Sequence, residues 1–162
     1  MHKILIKVSS NEKLKRILTL LSYAIVSVSV ASFLLVAALN FVKSLTDGII
    51  ICTCSAAAFI IVTIVRRLIN RKRPYEVYDF YKALPKEKFG RSFPSRHVFS
   101  IFLIAVLSLS VHPLFSAVLF FLGLCLAVFR VLLGIHFISD VIAGALLGFF
   151  GGICPLILMH LL

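Results

Sequence analysis

The chain has 162 residues, of which 61% are hydrophobic, and its mean hydropathy is +1.11. A water-soluble domain carries an apolar share nearer half, so composition excludes an ordinary soluble fold and points to the bilayer as solvent. Seventeen lysines and arginines against six acids give a net charge of +11; nucleic acid is not expected as the partner of that charge, because Trp is absent and the aromatics concentrate in apolar runs.

Residues 1–16 form a basic segment in which Lys3, Lys7, Lys13 and Lys15 alternate with apolar residues, the pattern of a short helix on the membrane face or of a frayed end. The stretch Met1 to Ala31 has the basic start of a secretory signal peptide, but its apolar run far exceeds the roughly 7–15 residues of a signal core and no A-x-A-like site ends it, so it is expected to remain as an anchor. Ile17 to Val42 is one uncharged run between Arg16 and Lys43, long enough to cross roughly 30 Å of hydrocarbon at about 1.5 Å per residue. Gly48 to Val65, bounded by Asp47 and Arg66, is a second span of 18 residues near the lower limit for crossing. Val98 to Phe129 carries no formal charge, is too long for one crossing and is interrupted at His112-Pro113, which predicts two short spans. Phe137 to Leu162 supplies the last, with Asp140 near its start.

The expected fold is therefore all-α: a polytopic membrane helical bundle of about five transmembrane helices, forming a single domain over residues 1–162 without internal repeats. Cys52, Cys54, Cys125 and Cys154 all fall within predicted spans and lack metal-site spacing with histidines, so they read as packing residues rather than a disulfide framework or metal site. Gly144 and Gly148 make a G-x-x-x-G pair that permits close helix approach, expected to serve packing within the chain.

Charge distribution carries more information than its sum. Five basic residues precede the first span, and ten lie between Arg66 and Arg96 against the acids Glu76, Asp79 and Glu87. If five spans alternate, the amino-terminal segment, the 66–97 loop and the 130–140 segment share one membrane face, leaving Lys43, Asp47, His112 and His160 on the other. The positive-inside rule would put the basic face in the cytoplasm, and that face could also attract anionic headgroups at about 1 kcal/mol per charge.

Three clusters on this face carry chemistry. Arg66 is followed by Arg71-Lys72-Arg73-Pro74, which also fits basic residues flanking a span and a proline ending it. Phe93-Pro94-Ser95-Arg96-His97 places a hydroxyl, a guanidinium and an imidazole at the entrance of an apolar helix, where backbone N–H groups attract anions and Ser95 is placed to cap. Arg130 precedes His136 and Asp140; on a helix starting near Phe137, Asp140 would share a face with His136, accept its N–H and leave the other ring nitrogen free to attack. An acid inside a membrane segment is costly and is a functional candidate by default; its simpler reading is an acid favoured at a helix amino terminus.

Together the clusters resemble the type 2 phosphatidic acid phosphatase superfamily, whose pattern is a Lys, six residues, Arg-Pro; then Pro-Ser-Gly-His; then Ser-Arg, five residues, His, three residues, Asp. The resemblance covers roughly Arg66 to Gly148. It implies a metal-independent, cofactor-free lipid phosphatase acting through a phosphohistidine. His136 would be the nucleophile, Asp140 its orienting partner and His97 the acid that protonates the leaving oxygen and then activates water, while Arg66, Arg73, Ser95 and Arg130 would hold the phosphoryl oxygens. Candidate substrates are undecaprenyl diphosphate, which is favoured, phosphatidylglycerol phosphate, phosphatidic acid and a phosphorylated lipid A.

The chain departs from the pattern at three positions. Arg66 stands for Lys, Arg96 for Gly and Phe129 for Ser. Arg96 is expected to meet a second negative group of the substrate. Members of the family usually have six spans with an extracytoplasmic site, against five predicted here, so in what is expected to be a bacterial plasma membrane either the amino terminus faces outward with its positive charges, or the site faces the cytoplasm, or one apparent span is re-entrant. Phosphoryl transfer to an acceptor other than water and a non-catalytic membrane binding or assembly role are the alternatives, the second opposed by the intact His97, His136 and Asp140; a vanadium haloperoxidase is disfavoured by the membrane-embedded composition.

Overall fold

A computed structural model of the chain describes residues 8, 10–78 and 89–161. The described part is helical: α1 (Glu12–Lys43), α2 (Leu45–Ile69), a single turn α3 (Pro74–Val77), α4 (Arg96–Leu107) continued by a 3₁₀ turn (Ser108–Ser110), α5 (Pro113–Leu132) and α6 (Ile138–Leu161). Local chemistry sets the ends. Asn11 caps α1 by accepting the Leu14 N–H at 3.0 Å, Asn70 ends α2 in the left-handed region at φ 42°, and His112 caps α5 by accepting the Leu114 N–H ahead of Pro113 at the first helical position.

Four helices, α1, α2, α5 and α6, are long and apolar enough to cross a membrane. The sequence places their cores correctly but not all their ends. The second helix runs four residues beyond the predicted Val65, so Arg66 lies within it rather than closing it. The tail of the basic segment, from Glu12, is continuous with α1 and not a separate surface helix; residues 1–7 and 9 lie outside the described residues.

The run from Val98 to Phe129 does break at His112-Pro113, but its first half is a different object from the other spans. Helix α4 has 12 residues, which at about 1.5 Å per residue reach ~18 Å, short of the hydrocarbon thickness. It survives at that length because it meets protein on nearly every side: Val98, Phe99 and all of Ile101 to Leu107 are buried, within clusters that join Val36, Ile51 and Leu119 on one side and Ile25, Leu126 and Val141 on another. The outward faces of the long helices are oily instead, with Leu20, Val42, Leu68 and Phe150 exposed, as expected where lipid replaces water.

Helix α4 packs most extensively against α6, and glycine makes that approach possible. A Cβ at Gly144 would stand 2.6 Å from the Ser95 carbonyl oxygen, and one at Gly148 would stand 2.3 Å from that of Phe99. The G-x-x-x-G pair therefore faces inward, against the start of α4, and fixes how close Ser95 comes to Asp140. Because α1, α4 and α6 begin, and α2 and α5 end, at the same end of the bundle, all three motif clusters and the amino-terminal end of α1 converge there around one cavity.

Candidate active site

The cavity at this end measures about 930 Å³, and Arg66, Arg73, Arg96, His97, Arg130 and His136 all line it. Each arrives by a specific local device. The spacing between Arg130 and His136 is that of a helix end folding back: Gly134 takes the left-handed conformation at φ 66°, its N–H bonds the Val131 carbonyl at 2.9 Å, and the Ile135 N–H bonds that of Arg130 at 3.0 Å. This pairing is a Schellman motif with glycine one residue past the cap. The His136 N–H also reaches the Arg130 carbonyl, at 3.2 Å, so one turn sets both side chains at the cavity.

The first cluster is fixed by the neck of the loop that follows it. Glu76 accepts the backbone N–H of Arg73 at 2.9 Å and of Gly90 at 2.7 Å, while Arg73 Nε donates to the Gly90 carbonyl at 3.0 Å. The chain before and after residues 79–88, which lie outside the described residues, is thus tied together. Arg66, 7% exposed, donates from its guanidinium to the Pro94 carbonyl, joining the first cluster to the second.

The second cluster joins the third through backbone: the Ser95 N–H bonds the Asp140 carbonyl at 2.9 Å. Ser95 occupies the cap position of α4 without making the side-chain cap bond; its hydroxyl is buried and has no hydrogen-bond partner among the described residues. Arg96 lines the cavity with its guanidinium 5.4 Å from the Phe59 ring, and His97 is exposed beside it.

The predicted pairing of His136 with Asp140 takes a different form. Nδ1 of His136 lies 3.7 Å from Asp140 Oδ2, long for a hydrogen bond. Ser92, fully buried, stands beside both: its hydroxyl donates to Oδ2 at 2.5 Å and lies 3.4 Å from Nδ1. Arg71 grips the other carboxylate oxygen at 2.8 Å, donates to Ser139 Oγ at 2.7 Å and stacks its guanidinium 4.3 Å over Phe137. The Phe137 N–H completes the set, donating to Oδ2 at 2.9 Å. The bond from Phe137 is the reciprocal half of a capping box at the start of α6, the helix-terminus reading of Asp140, while the same carboxylate faces the imidazole without the direct hydrogen bond expected from the sequence.

Sequence reasoning missed Arg71 and Ser92. Arg71 lay in plain view within Arg71-Lys72-Arg73, but nothing in its spacing sets it apart from a membrane-flanking cation. Ser92 precedes Ser95 by three residues, and only burial distinguishes it from a loop serine.

Electrostatically the site favours a neutral His136. Burial pushes its imidazole down to about 4, with Arg73 and Arg66 adding repulsion and Asp140 opposing the shift. Nδ1 is the ring nitrogen that faces Ser92 and Asp140, and Arg66, Arg73 and Arg130 line the same cavity as His136, guanidinium groups of the kind that suit a tetrahedral anion.

The family model of the PAP2 superfamily matches residues 47–160. The chain belongs to that superfamily. Two solved structures share its fold: Aquifex aeolicus LpxE, 22% identical with a TM-score of 0.67 over 95% of this chain and 93% of that one, and a transmembrane PAP2-type phosphatidylglycerolphosphate phosphatase from Bacillus subtilis, 20% identical with a TM-score of 0.72 over 96% and 83%. No curated protein sequence matches the chain. Membership in PAP2 brings a family of membrane lipid phosphatases, and the multi-pass helical bundle seen here is the membrane form of that fold.

Proposed function

We propose that the chain hydrolyses a phosphomonoester or diphosphate on a membrane lipid through a phosphohistidine intermediate. The observation that carries this reading is the convergence of His97, His136 and four arginines on one cavity at the end of a membrane bundle. A lipid can reach such a site with its headgroup while its tail stays in hydrocarbon.

In the proposed reaction Nε2 of the neutral His136 attacks phosphorus; a P–N bond forms, the bond to the leaving oxygen breaks, and His97 gives that oxygen a proton. Water then attacks the phosphohistidine, losing its proton to His97; a P–O bond forms, the P–N bond breaks and phosphate leaves. Asp140, fixed by Arg71, Ser92 and the Phe137 N–H, offsets the positive charge that develops on the His136 ring. Arg66, Arg73 and Arg130, with the unpartnered hydroxyl of Ser95, bind the equatorial oxygens, stabilisation that acts most strongly where water is excluded.

Among substrates we favour a polyprenyl diphosphate such as undecaprenyl diphosphate, because Arg96 adds a cation at the cavity beyond those a single phosphoryl group engages, and we place the protein in the plasma membrane. Phosphatidylglycerolphosphate is the second reading, supported by the substrate named for the Bacillus subtilis relative in fold. The test is phosphate release by the purified protein in detergent against polyprenyl, glycerophospholipid and lipid A phosphates. Release from none of them refutes the hydrolase reading, and transfer of the phosphoryl group to an added alcohol without free phosphate would make the protein a phosphotransferase.

A further inference from the structure

The cavity holds more positive charge than one phosphoryl group uses. Among the described residues its wall carries eight lysine and arginine side chains against a single carboxylate, Glu12. A phosphomonoester brings a charge of about −1.5 to −2, for which Arg66, Arg73 and Arg130 suffice. Part of the surplus stands on α1, which precedes the family-matching segment 47–160 altogether.

Lys15 is the informative residue. Its side chain is 6% exposed, and its ammonium pairs with Glu12, whose side chain is 71% exposed. An i, i+3 pair on one helix forms as readily with both partners in water, where it contributes little to stability, and burying an ammonium is costly. The pair with Glu12 therefore does not by itself account for turning Lys15 inward. The wall it belongs to continues along α1 through Arg16, Thr19 and Ser22, with Thr63 and Arg67 of α2 lining the same cavity, a polar lining on helices whose other faces are oily.

We propose that Lys15 and Arg16 of α1, with Arg67 of α2, form a second anion-binding subsite that takes a phosphate-class group adjacent to the one being transferred. The proposal rests on the phosphatase reading above and deepens it by naming what the substrate carries. Two sources present this chemistry: the distal phosphate of a diphosphate substrate, and the headgroup of a neighbouring anionic lipid. Glu12 holds the Lys15 ammonium in place while the subsite is empty, and being exposed it is free to leave when a phosphate displaces it.

The test compares a polyprenyl diphosphate with the matching monophosphate, using full-length wild type, Lys15→Met and Glu12→Gln in neutral detergent with and without added phosphatidylglycerol. For a subsite that reads the substrate, Lys15→Met lowers the diphosphate-to-monophosphate ratio of kcat/KM by about tenfold, the size of one charge-assisted contact, through KM rather than kcat. Glu12→Gln moves the ratio the other way. For a subsite that reads a neighbouring lipid, Lys15→Met instead abolishes a response to phosphatidylglycerol shared by both substrates. An unmoved ratio together with an unmoved lipid response overturns the proposal, and Glu12→Gln alone decides it if Lys15→Met does not elute as folded protein. Thermal stabilisation by inorganic diphosphate relative to inorganic phosphate reads the subsite without turnover. Loss of the diphosphate advantage in Lys15→Met supports it, and a retained advantage overturns it, even in a protein that hydrolyses neither lipid.

Discussion

Ser92→Ala isolates what holds Asp140, the partner of the proposed nucleophile His136, in place. In the wild type, Asp140 receives three donors, from Arg71 at 2.8 Å, Ser92 at 2.5 Å and the Phe137 N–H at 2.9 Å. Alanine removes the shortest of these, together with the hydroxyl that lies 3.4 Å from His136 Nδ1. A hydrogen bond to a charged group is worth about 1.5–3 kcal/mol, and at 1.36 kcal/mol per tenfold this corresponds to about 10–150-fold in rate if the whole contact is used in the transition state. Because Arg71 and the Phe137 N–H still hold the carboxylate, the lower end is expected: a fall of about tenfold in kcat with KM little changed. Phosphate release in detergent measures it, with size-exclusion behaviour showing that the fold persists, and Ser92→Thr, which keeps the hydroxyl, should recover part of the loss. A folded Ser92→Ala protein whose kcat lies within twofold of wild type would refute the claim that Ser92 positions Asp140 and His136.

His136→Ala is expected to abolish phosphate release and His97→Ala to reduce it by about 10²–10⁴-fold, the usual contribution of a general acid, with folded protein recovered in both; retained turnover in the first would remove the nucleophile assignment. Since burial holds His136 near 4 rather than 6.5, the protonation that silences the nucleophile should limit kcat/KM only near pH 4, and a rate profile with that limb at about 6.5 would contradict the burial. The same shift makes the folded state refuse a proton that the unfolded chain accepts, so stability should fall as pH drops from about 6.5 to about 4, as seen by thermal melts. Gly148→Ala, whose new Cβ would meet the Phe99 carbonyl at 2.3 Å, should destabilise by about 1–3 kcal/mol, whereas Gly151→Ala, with its nearest neighbour at 3.6 Å, should melt close to wild type. Activity is expected to survive a chelator and to be inhibited by vanadate, which imitates the five-coordinate phosphorus; a requirement for added divalent metal would contradict arginine as the charge-neutralising group.

How far the sequence revealed this arrangement depends on which forces leave a trace in residue order. Uncharged runs reveal where hydrocarbon replaces water, so the cores of α1, α2, α5 and α6 were legible, and His112-Pro113 marked the break because proline needs no donor at the first turn of α5. Arg66 misled because a cation at the end of an apolar run usually leaves the membrane, whereas here it is buried and paired to the Pro94 carbonyl. The shortness of α4 was illegible for a related reason: an apolar helix wrapped by protein and one wrapped by lipid have the same composition. The motif residues His97, Arg130, His136 and Asp140 announced themselves through spacing, and the Schellman turn at Gly134 shows what part of that spacing means physically. Arg71 and Ser92 reach Asp140 from segments far apart in the chain, contacts that leave no periodicity to read.

The position of Lys15 and Arg16 also changes how membrane orientation should be inferred. The five basic residues before the first span look like a topogenic signal independent of the site, since they lie far in sequence from the motif clusters. Alternating passages bring the start of α1 to the same end as His97 and His136, and there Lys15 and Arg16 become part of the cavity wall. On the subsite proposed above, two of the five charges serve an anion in the cavity, a demand that would be the same on either side of the membrane. The positive-inside rule then rests on Lys3, Lys7 and Lys13, set against Lys43 at the far end of α1, which spends its ammonium on the Ser110 carbonyl. On that reading an orientation drawn from the total of +11 counts cavity-lining cations as if they were a targeting signal.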